Sequence, residues 1–199
     1  MRQKKIKGLD KTKMQELEAI TSPLKLKLEG TIHLEVGSGK GQFISSLAND
    51  NKDINYVALE RNMDVCYRIS QKKQEQQIKN LTVILDDSAN ILEYLEPNSV
   101  DLIYLNFSDP WPKDRHHKRR LTYYSFLELY LKLLKKDGVI QFRTDHESFF
   151  NDSITYISKY FDIFQKDFDY QSDKYYTEYE IKRIEKGNLY QLKARVKNV

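Results

Sequence analysis

The chain of 199 residues contains one cysteine, four prolines and seven glycines. Cys66 has no partner for an internal disulfide, and a single thiol does not by itself build a zinc site. No apolar run approaches the roughly 20 residues that a bilayer requires. The basic first residues are not followed by the apolar segment of a secretory signal. These absences predict a cytoplasmic protein that holds no structural metal.

Hydrophobic residues make up 40% of the chain and charged residues 31%, a mixture that can bury a core and excludes disordered or low-complexity proteins. The length fits one domain, for which we expect a basic extension at residues 1–30 and a catalytic fold at residues 31–199. The net charge of +4 is concentrated, because residues 113–120 (KDRHHKRR) hold five Lys/Arg against one Asp. This run and a second cluster in the first 13 residues indicate a polyanionic partner. Solvated surface charge is the alternative.

Short apolar runs alternate with helical patterns, which predicts an α/β fold around a parallel sheet. Five predicted strands are almost continuously apolar, as in strands covered on both faces: Thr31–Val36, Asn55–Leu59, Leu81–Leu85, Val100–Phe107 and Val139–Arg143. Apolar spacing predicts helices over residues 123–134 and 150–161, with Gly138 as the stop of the first. Runs at 161–168 and 189–196 predict a closing hairpin-like pair.

The segment after the first predicted strand is rich in glycine and reads EVGSGKG at residues 35–41. Glycine permits positive φ and lets a ligand approach the backbone, so Gly37, Gly39 and Gly41 are candidate cofactor-binding residues. The spacing matches neither the G-x-x-x-x-G-K-[ST] loop of phosphate binders nor the G-x-G-x-x-G dinucleotide fingerprint. Glu35 at the strand tip would repel a pyrophosphate and favours a cationic ligand.

Acidic residues also follow the next two predicted strands. Glu60 lies 19 residues beyond Gly41, where doubly wound folds place an acceptor for ribose hydroxyls. Asp87, or its neighbour Asp86, follows the third strand and could meet an adenine amino group. A positively charged nucleoside without phosphate fits these positions, and S-adenosylmethionine is such a ligand. For Glu35 taken alone, an ordinary surface acid is the alternative.

The segment after the fourth predicted strand reads NFSDPWPK at residues 106–113 and contains two of the four prolines and the only tryptophan. Two prolines stiffen the backbone, and a rigid loop at the carboxyl edge of the sheet is where such folds hold a substrate. Trp111 either stacks on a base, a contact worth about 1–3 kcal/mol, or fills the core. The basic run follows directly, so a base pocket and a phosphate-binding surface would be continuous.

Four strings together resemble the bacterial tRNA (guanine-N7-)-methyltransferase family: EVGSGKG, FSDPWPKDRHHKRRL, FRTD and TEYE. The resemblance runs from about residue 31 to the C-terminus, and DPWPK-x-RHHKRR is its most specific part. It implies a Rossmann-like class I methyltransferase fold, with a doubly wound, mostly parallel sheet and an antiparallel C-terminal strand. It also implies that a monomer or homodimer transfers a methyl group from S-adenosylmethionine to N7 of guanine 46 in the variable loop of tRNA.

The resemblance further implies roles for individual residues. The S-adenosylmethionine site would be formed by Glu35, Glu60, Asp87 and Asp109, with Asp109 also the catalytic residue. The substrate would be bound by Lys113, Asp145, Thr177, Glu178, Tyr179 and Glu180. RNA would be contacted by Arg115, His116, His117, Lys118, Arg119 and Arg120.

Methyl transfer to guanine N7 requires little acid–base chemistry, because N7 carries a lone pair and no proton. A general base has no proton to remove there, so positioning, which can supply about 7–11 kcal/mol, is expected to dominate. Positive charge develops on the guanine ring, where a carboxylate stabilises it, and Asp109, Asp145 and Glu180 are the candidates. The alternatives are a helix cap for Asp145 and a helical ion pair with Arg183 for Glu180.

Two other functions stay open from the residues alone. Methylation of an exocyclic amine of RNA or DNA would use an Asp/Asn-Pro-Pro-aromatic loop, which DPWP matches only in part. A non-catalytic RNA-binding module would explain the basic run but would leave Glu35, Glu60 and the glycine loop without a role. A nucleotide-dependent dehydrogenase disagrees with the glycine spacing, and His116 and His117 have no third metal ligand at a useful spacing.

Overall fold

In a computed structural model of the protein, the described residues are 5–172, 174–182 and 187–197. The strands are β1 (Ala19–Ile20), β2 (Thr31–Val36), β3 (Ile54–Glu60), β4 (Leu81–Leu85), β5 (Val100–Asn106), β6 (Leu134–Thr144), β7 (Phe161–Asp167) and β8 (Tyr190–Val196). The α-helices are α1 (Lys11–Glu16), α2 (Gln42–Asp50), α3 (Met63–Glu75), α4 (Tyr124–Leu133), α5 (Glu147–Ser158) and α6 (Glu178–Ile181). Two 3-10 helices span Ser88–Glu93 and Asp114–Arg119.

The strands form one eight-stranded sheet in the order β1-β4-β3-β2-β5-β6-β8-β7. In this order, all neighbouring strands from β1 through β6 pair in parallel. Strand β8 runs antiparallel to both β6 and β7. The chain winds outward in both directions from the β2–β5 pair, which leaves a crevice at the carboxyl ends of these strands. The predicted doubly wound α/β fold with an antiparallel C-terminal strand is confirmed.

Apolar residues cover both faces of the sheet, because successive side chains of a strand point to opposite sides. One cluster joins Leu34 and Val57 to residues of α4 and α5. The other joins Tyr56 and Ala58 to α2 and α3, and it includes the buried thiol of Cys66. Burial on both faces explains why the strands read as near-continuous apolar runs.

The structure departs from the sequence prediction at several places. The second predicted helix, residues 150–161, lies at Glu147–Ser158, and Phe161 starts β7. Helix α4 ends at Leu133 and β6 starts at once, so Gly138 lies within a strand and does not stop the helix. Leu134 pairs with Val100 and Val139 with Leu102, so the intervening residues bulge, and a Cβ on Gly138 would approach the Lys135 carbonyl oxygen to 2.9 Å. The described part of residues 1–30 adds α1 and the edge strand β1 to the fold, with Met14 fully buried.

Among the described residues, no helix combines the length and the apolar composition needed to span a bilayer.

Candidate active site

A cleft of about 260 Å³ opens at the carboxyl ends of β2, β3, β4 and β5. Its walls come from the loops that follow these four strands and from the start of α4. The lining residues are Val36, Gly37, Leu59, Glu60, Arg61, Asp86, Asp87, Ser88, Phe107, Ser108, Asp109, Trp111, Arg119, Leu121 and Phe126. The loops on which the sequence places a cofactor and a substrate therefore meet in one crevice.

The glycine loop after β2 depends on left-handed backbone conformations. Gly37, Gly39 and Gly41 have φ values of 74°, 57° and 76°, which other residues rarely adopt. Gly37 lines the cleft, and its N–H donates to the Leu59 carbonyl of the neighbouring strand at 2.8 Å. A Cβ on Gly41 would come within 2.8 Å of Ile69 Cγ2. Gly41 thus allows α2 to pack closely against α3, which supports the loop from behind.

Glu35, at the end of β2, is buried with 2% of its surface exposed, so it is not a surface acid. Its Oε1 accepts a hydrogen bond from Asn106 Nδ2 at 2.8 Å, whereas its buried Oε2 has no hydrogen-bond partner among the described residues. Burial raises the pKa of Glu35 to about 8, against the opposing hydrogen bond from Asn106. A buried carboxylate oxygen without a partner favours a cationic or hydrogen-bond-donating ligand.

Glu60 ends β3 and ties the glycine loop to the next loop. Its Oε2 accepts from the Gly39 N–H at 3.1 Å and its Oε1 accepts from the Asn62 N–H at 2.9 Å. Burial raises the pKa of Glu60, and the two backbone hydrogen bonds oppose this shift. Its position on the cleft wall agrees with an acceptor for ribose hydroxyls.

Asp86 and Asp87 follow β4, and both line the cleft. Asp86 accepts hydrogen bonds from Tyr94 Oη at 2.6 Å, from Asn90 Nδ2 and from the Asp87 N–H. Burial alone would raise the pKa of Asp86, but these hydrogen bonds hold it below its ordinary value. Asp87 is more exposed and uses Oδ1 to cap the following 3-10 helix at the Ala89 N–H. Because Asp86 already accepts three hydrogen bonds within the protein and Asp87 accepts one, Asp87 is favoured as the residue that faces a ligand.

The loop after β5 carries Asp109 at the rim of the cleft, where it is exposed. Phe107 and Trp111 have φ values of 49° and 41°, a left-handed conformation that is rare for bulky residues. Trp111 lines the cleft and belongs to neither apolar cluster, so it does not fill the core. The guanidinium carbon of Arg119 lies 4.9 Å from the centre of its ring. A half-buried indole beside a carboxylate suits a planar base.

The basic run forms the second 3-10 helix and the residues around it. Lys113, Arg115, Lys118 and Arg119 are exposed, whereas His116 and His117 are half-buried. His117 Nδ1 lies 3.0 Å from Tyr156 Oη.

Arg120 differs from the rest of the run, because only 1% of its surface is exposed. Its guanidinium is bonded to Asp152 and to two main-chain carbonyl groups within the protein. The prediction that Arg120 contacts RNA is therefore corrected: a phosphate cannot reach a side chain that is enclosed and already bonded.

In the TEYE string, Thr177 and Glu180 are buried, whereas Glu178 and Tyr179 are more accessible. Thr177 and Glu180 form a capping box at the start of α6, and Glu180 is buried 3.7 Å from Arg143 Nη1. These contacts stabilise the segment from within. Glu178 forms an ion pair with Lys72 of α3 at 3.4 Å. Arg183, the alternative partner of Glu180, lies outside the described residues.

Tyr179 brings the TEYE string to the cleft. Its ring centre lies 5.2 Å from that of Phe107, and its hydroxyl donates to Asp145 Oδ2 at 3.0 Å. Asp145 does not cap α5. The cap is His146, whose Nδ1 accepts a hydrogen bond from the Phe149 N–H. Asp145 and Tyr179 are therefore joined beside Phe107, which lines the cleft, and their binding of substrate stays a prediction.

Sequence reasoning missed several residues of the site. Among them, Asn106 holds Glu35, and Phe107, Ser108 and Phe126 line the cleft. The first three adjoin Asp109 in the sequence, and their position at the end of a buried strand was the available signal. Within the described ranges, no group of three or more His, Cys, Asp or Glu residues is arranged to hold a metal ion.

Comparisons with known proteins agree with this geometry. Residues 29–192 match the family model described as "Putative methyltransferase". The chain is 44% identical over 174 residues to a tRNA (guanine-N(7)-)-methyltransferase of Staphylococcus haemolyticus, covering 84% of this chain and 81% of the relative. It is 44% identical to the enzyme of the same name from Lactobacillus johnsonii, covering 78% and 75% of the two chains. A crystal structure of a SAM-dependent methyltransferase from Aquifex aeolicus superposes with a TM-score of 0.63 at 14% identity, over 94% of this chain and 89% of that one. The last similarity shows the fold alone.

Proposed function

Because the chain belongs to the tRNA (guanine-N(7)-)-methyltransferase family, we propose that it transfers a methyl group from S-adenosylmethionine to N7 of a guanine in tRNA, at position 46 of the variable loop. The observation that carries this proposal is the arrangement of the cleft. The glycine loop, Glu60 and Asp87 meet a rigid loop bearing Asp109 and Trp111 in one crevice. Glu35, whose buried Oε2 has no partner among the described residues, lies at the end of the strand before the glycine loop but does not line this crevice. From a tRNA substrate we also infer a cytoplasmic location.

The residues fit S-adenosylmethionine on the cofactor side. Glu35 would balance its positive charge, Glu60 would accept its ribose hydroxyls, and Asp87 would accept from its adenine amino group. Left-handed Gly37 lines the cleft, and the backbone at Gly39 leaves open space, since a Cβ there would meet nothing within 4 Å. When bound, the cofactor supplies an electrophilic methyl group.

On the substrate side, the protein's task is to hold guanine and to stabilise the charge that develops on it. Trp111 and Phe107 line the cleft and offer faces for the base, and Asp109 is a carboxylate at its rim. Asp145 is bonded to Tyr179, whose ring lies beside Phe107. Asp109 is at the open end of the cleft, so we assign it the stabilisation of the developing cation. Because N7 has no proton to lose, no residue acts as a general base at that atom.

The exposed part of the basic run, Lys113 to Arg119, continues from this rim. We assign it the binding of tRNA phosphates, which fix the register of the RNA while the pocket selects the base. We expect the activity from a monomer or a homodimer.

The test is incubation of the protein with unmodified tRNA and methyl-labelled S-adenosylmethionine, followed by digestion and nucleoside analysis. We expect label in 7-methylguanosine, mapped to position 46. A product methylated on an exocyclic amine would replace the proposed reaction by the competing one. Binding of tRNA without any methylated product would identify a non-catalytic RNA-binding module.

A further inference from the structure

We propose that Arg120 is a positioning residue for methyl transfer, which holds the loop that carries Asp109 and Trp111 in place. This inference rests on the proposed function, because it assigns Arg120 to the chemistry of that site and not to RNA binding. It separates Arg120 from the exposed basic residues that precede it.

The guanidinium of Arg120 bonds to the backbone of this loop immediately after Asp109. Its Nε donates to the Pro110 carbonyl oxygen at 2.7 Å, and its Nη2 donates to the Trp111 carbonyl oxygen at 3.4 Å. Because a guanidinium is planar and carries five donors in fixed directions, it can hold two successive carbonyl groups in one orientation. A lysine ammonium in the same place would lack this geometry.

The sequence and backbone conformation of this loop explain why a side chain is needed to hold it. Pro110 and Pro112 have no N–H with which to form main-chain hydrogen bonds. Trp111 between them is left-handed at φ 41°, and Phe107 before them at φ 49°. Bulky residues persist in such conformations only when the surroundings enforce them, and such strain is concentrated at functional sites.

Helix α5 fixes the other side of Arg120. Its Nη1 donates to Asp152 Oδ2 at 2.8 Å, and its guanidinium carbon lies 4.9 Å from the centre of the buried Phe149 ring. The side chain thus connects the loop to a helix packed on the core. Displacement of Arg120 is expected to displace Asp109 relative to a bound guanine without removing any exposed charge.

The test compares Arg120→Lys with Lys118→Met in the full chain. Lys118 is exposed two residues earlier and serves as the matched RNA-contact control. We expect Arg120→Lys to lower the single-turnover rate of guanine methylation at saturating tRNA and cofactor by about tenfold or more, as a lost positioning contact does. Its tRNA affinity and the salt dependence of that affinity stay at wild-type values. Lys118→Met should show the opposite in binding, with the salt slope reduced by about 0.7–0.9.

Chemical rescue of the methylation rate distinguishes the loss of the guanidinium from a general loss of stability. Arg120→Ala removes the guanidinium, and addition of millimolar guanidinium chloride should raise its rate severalfold towards that of wild type. Asp109→Ala should gain nothing from the same addition, because its defect is not the missing guanidinium.

Asp152→Asn covers the case in which the arginine variants do not fold. Asp152 has 40% of its side chain exposed, so this variant is expected to fold, and it keeps an acceptor while removing the charge that orients Arg120. A severalfold lower rate with an unchanged salt slope supports positioning.

Two results would overturn the inference. A reduced salt slope in folded Arg120→Lys with a normal single-turnover rate would make Arg120 an RNA contact. A wild-type rate in folded Arg120→Lys, or in Asp152→Asn when the arginine variants are unfolded, would leave only a structural role. If wild-type protein forms no 7-methylguanosine, the proposed function fails instead, and that outcome is distinct from both.

Discussion

The two sides of the cleft are built in different ways. On the side of β2, β3 and β4, the site residues stand at or just after the ends of adjacent parallel strands, and the register of the sheet brings them together. On the side of β5 and β6, they come from a strained loop, a 3-10 helix and the segment that contains α6. The position at which an apolar strand ends is a local property of the sequence, whereas the second arrangement depends on contacts between distant segments.

The charged residues differ accordingly. Arg120, Arg143 and Glu180 carry charges in the interior of the substrate side, each within an ion pair. Lys118 and Arg119 carry theirs on the surface. Removal of one partner of a buried pair costs far more free energy than removal of an exposed charge.

The largest effect is expected for Arg143→Met, which leaves Glu180 buried without its cationic partner. Arg143 also donates to Gln191 Oε1 at 2.9 Å and to Tyr170 Oη at 2.7 Å. We expect the free energy of unfolding in urea to fall by roughly 3–5 kcal/mol. The control Arg68→Met removes an exposed arginine and should change it by less than about 0.5 kcal/mol. Equal effects of the two variants would contradict the contrast between buried and exposed charges.

Next comes Glu35→Gln, which keeps the shape of the side chain and removes its charge. If Glu35 balances the cofactor's cation, S-adenosylmethionine binding should weaken by about 1.5–3 kcal/mol, while tRNA binding stays near wild type. Isothermal titration calorimetry measures both affinities. Unchanged cofactor affinity would remove Glu35 from the site.

The raised pKa of Glu35 adds a pH signature to the same variant. Between the ordinary carboxyl pKa near 4.5 and the folded value of about 8, the folded protein keeps a proton that the unfolded chain has lost. The contribution of Glu35 to stability therefore decreases as pH rises through this window, by at most about 1.4 kcal/mol per pH unit. Cofactor binding at pH 7 should release up to about one proton, since a nearby cation favours the ionised carboxylate. Calorimetry in buffers of different ionisation enthalpy should detect this release, and Glu35→Gln should abolish it.

The contrast between the two sides also explains what the sequence could and could not predict. Strands β2 and β4 have the predicted bounds, and Glu35, Glu60 and Asp87 lie at or just after strand ends, because an apolar run fixes both the strand and the edge where it stops. The inward turn of Arg120 was not predictable from its own segment, since its partner Asp152 is 32 residues away. Within one motif, basic residues face solvent or interior according to such distant partners.

On the substrate side, Asp109→Asn tests the electrostatic role at the reacting centre. The change keeps the size of the side chain and removes its charge, so the shape of the loop is preserved. We expect the single-turnover rate to fall by tenfold or more, about 1.4 kcal/mol or above, while the thermal midpoint stays at its wild-type value because Asp109 is exposed. A rate close to wild type would mean that Asp109 shapes the loop without stabilising charge.

The smallest effect per residue is expected on the exposed basic surface. The double variant Lys118→Met/Arg119→Met removes two charges that the structure leaves open to solvent. If each binds one phosphate, the slope of log K against log salt should decrease in magnitude by about 1.4–1.8, from 0.7–0.9 per contact. Lys118 does not line the cleft, so Lys118→Met alone should leave S-adenosylmethionine binding unchanged, whereas Arg119 lines the cleft and lies over the Trp111 ring. The control Lys132→Met/Lys136→Met removes two exposed lysines beside the start of β6, at the opposite edge of the sheet, and should leave the slope at its wild-type value. Equal slopes for both double variants and wild type would make residues 118–119 ordinary solvated charge, and the tRNA phosphates would then be bound elsewhere.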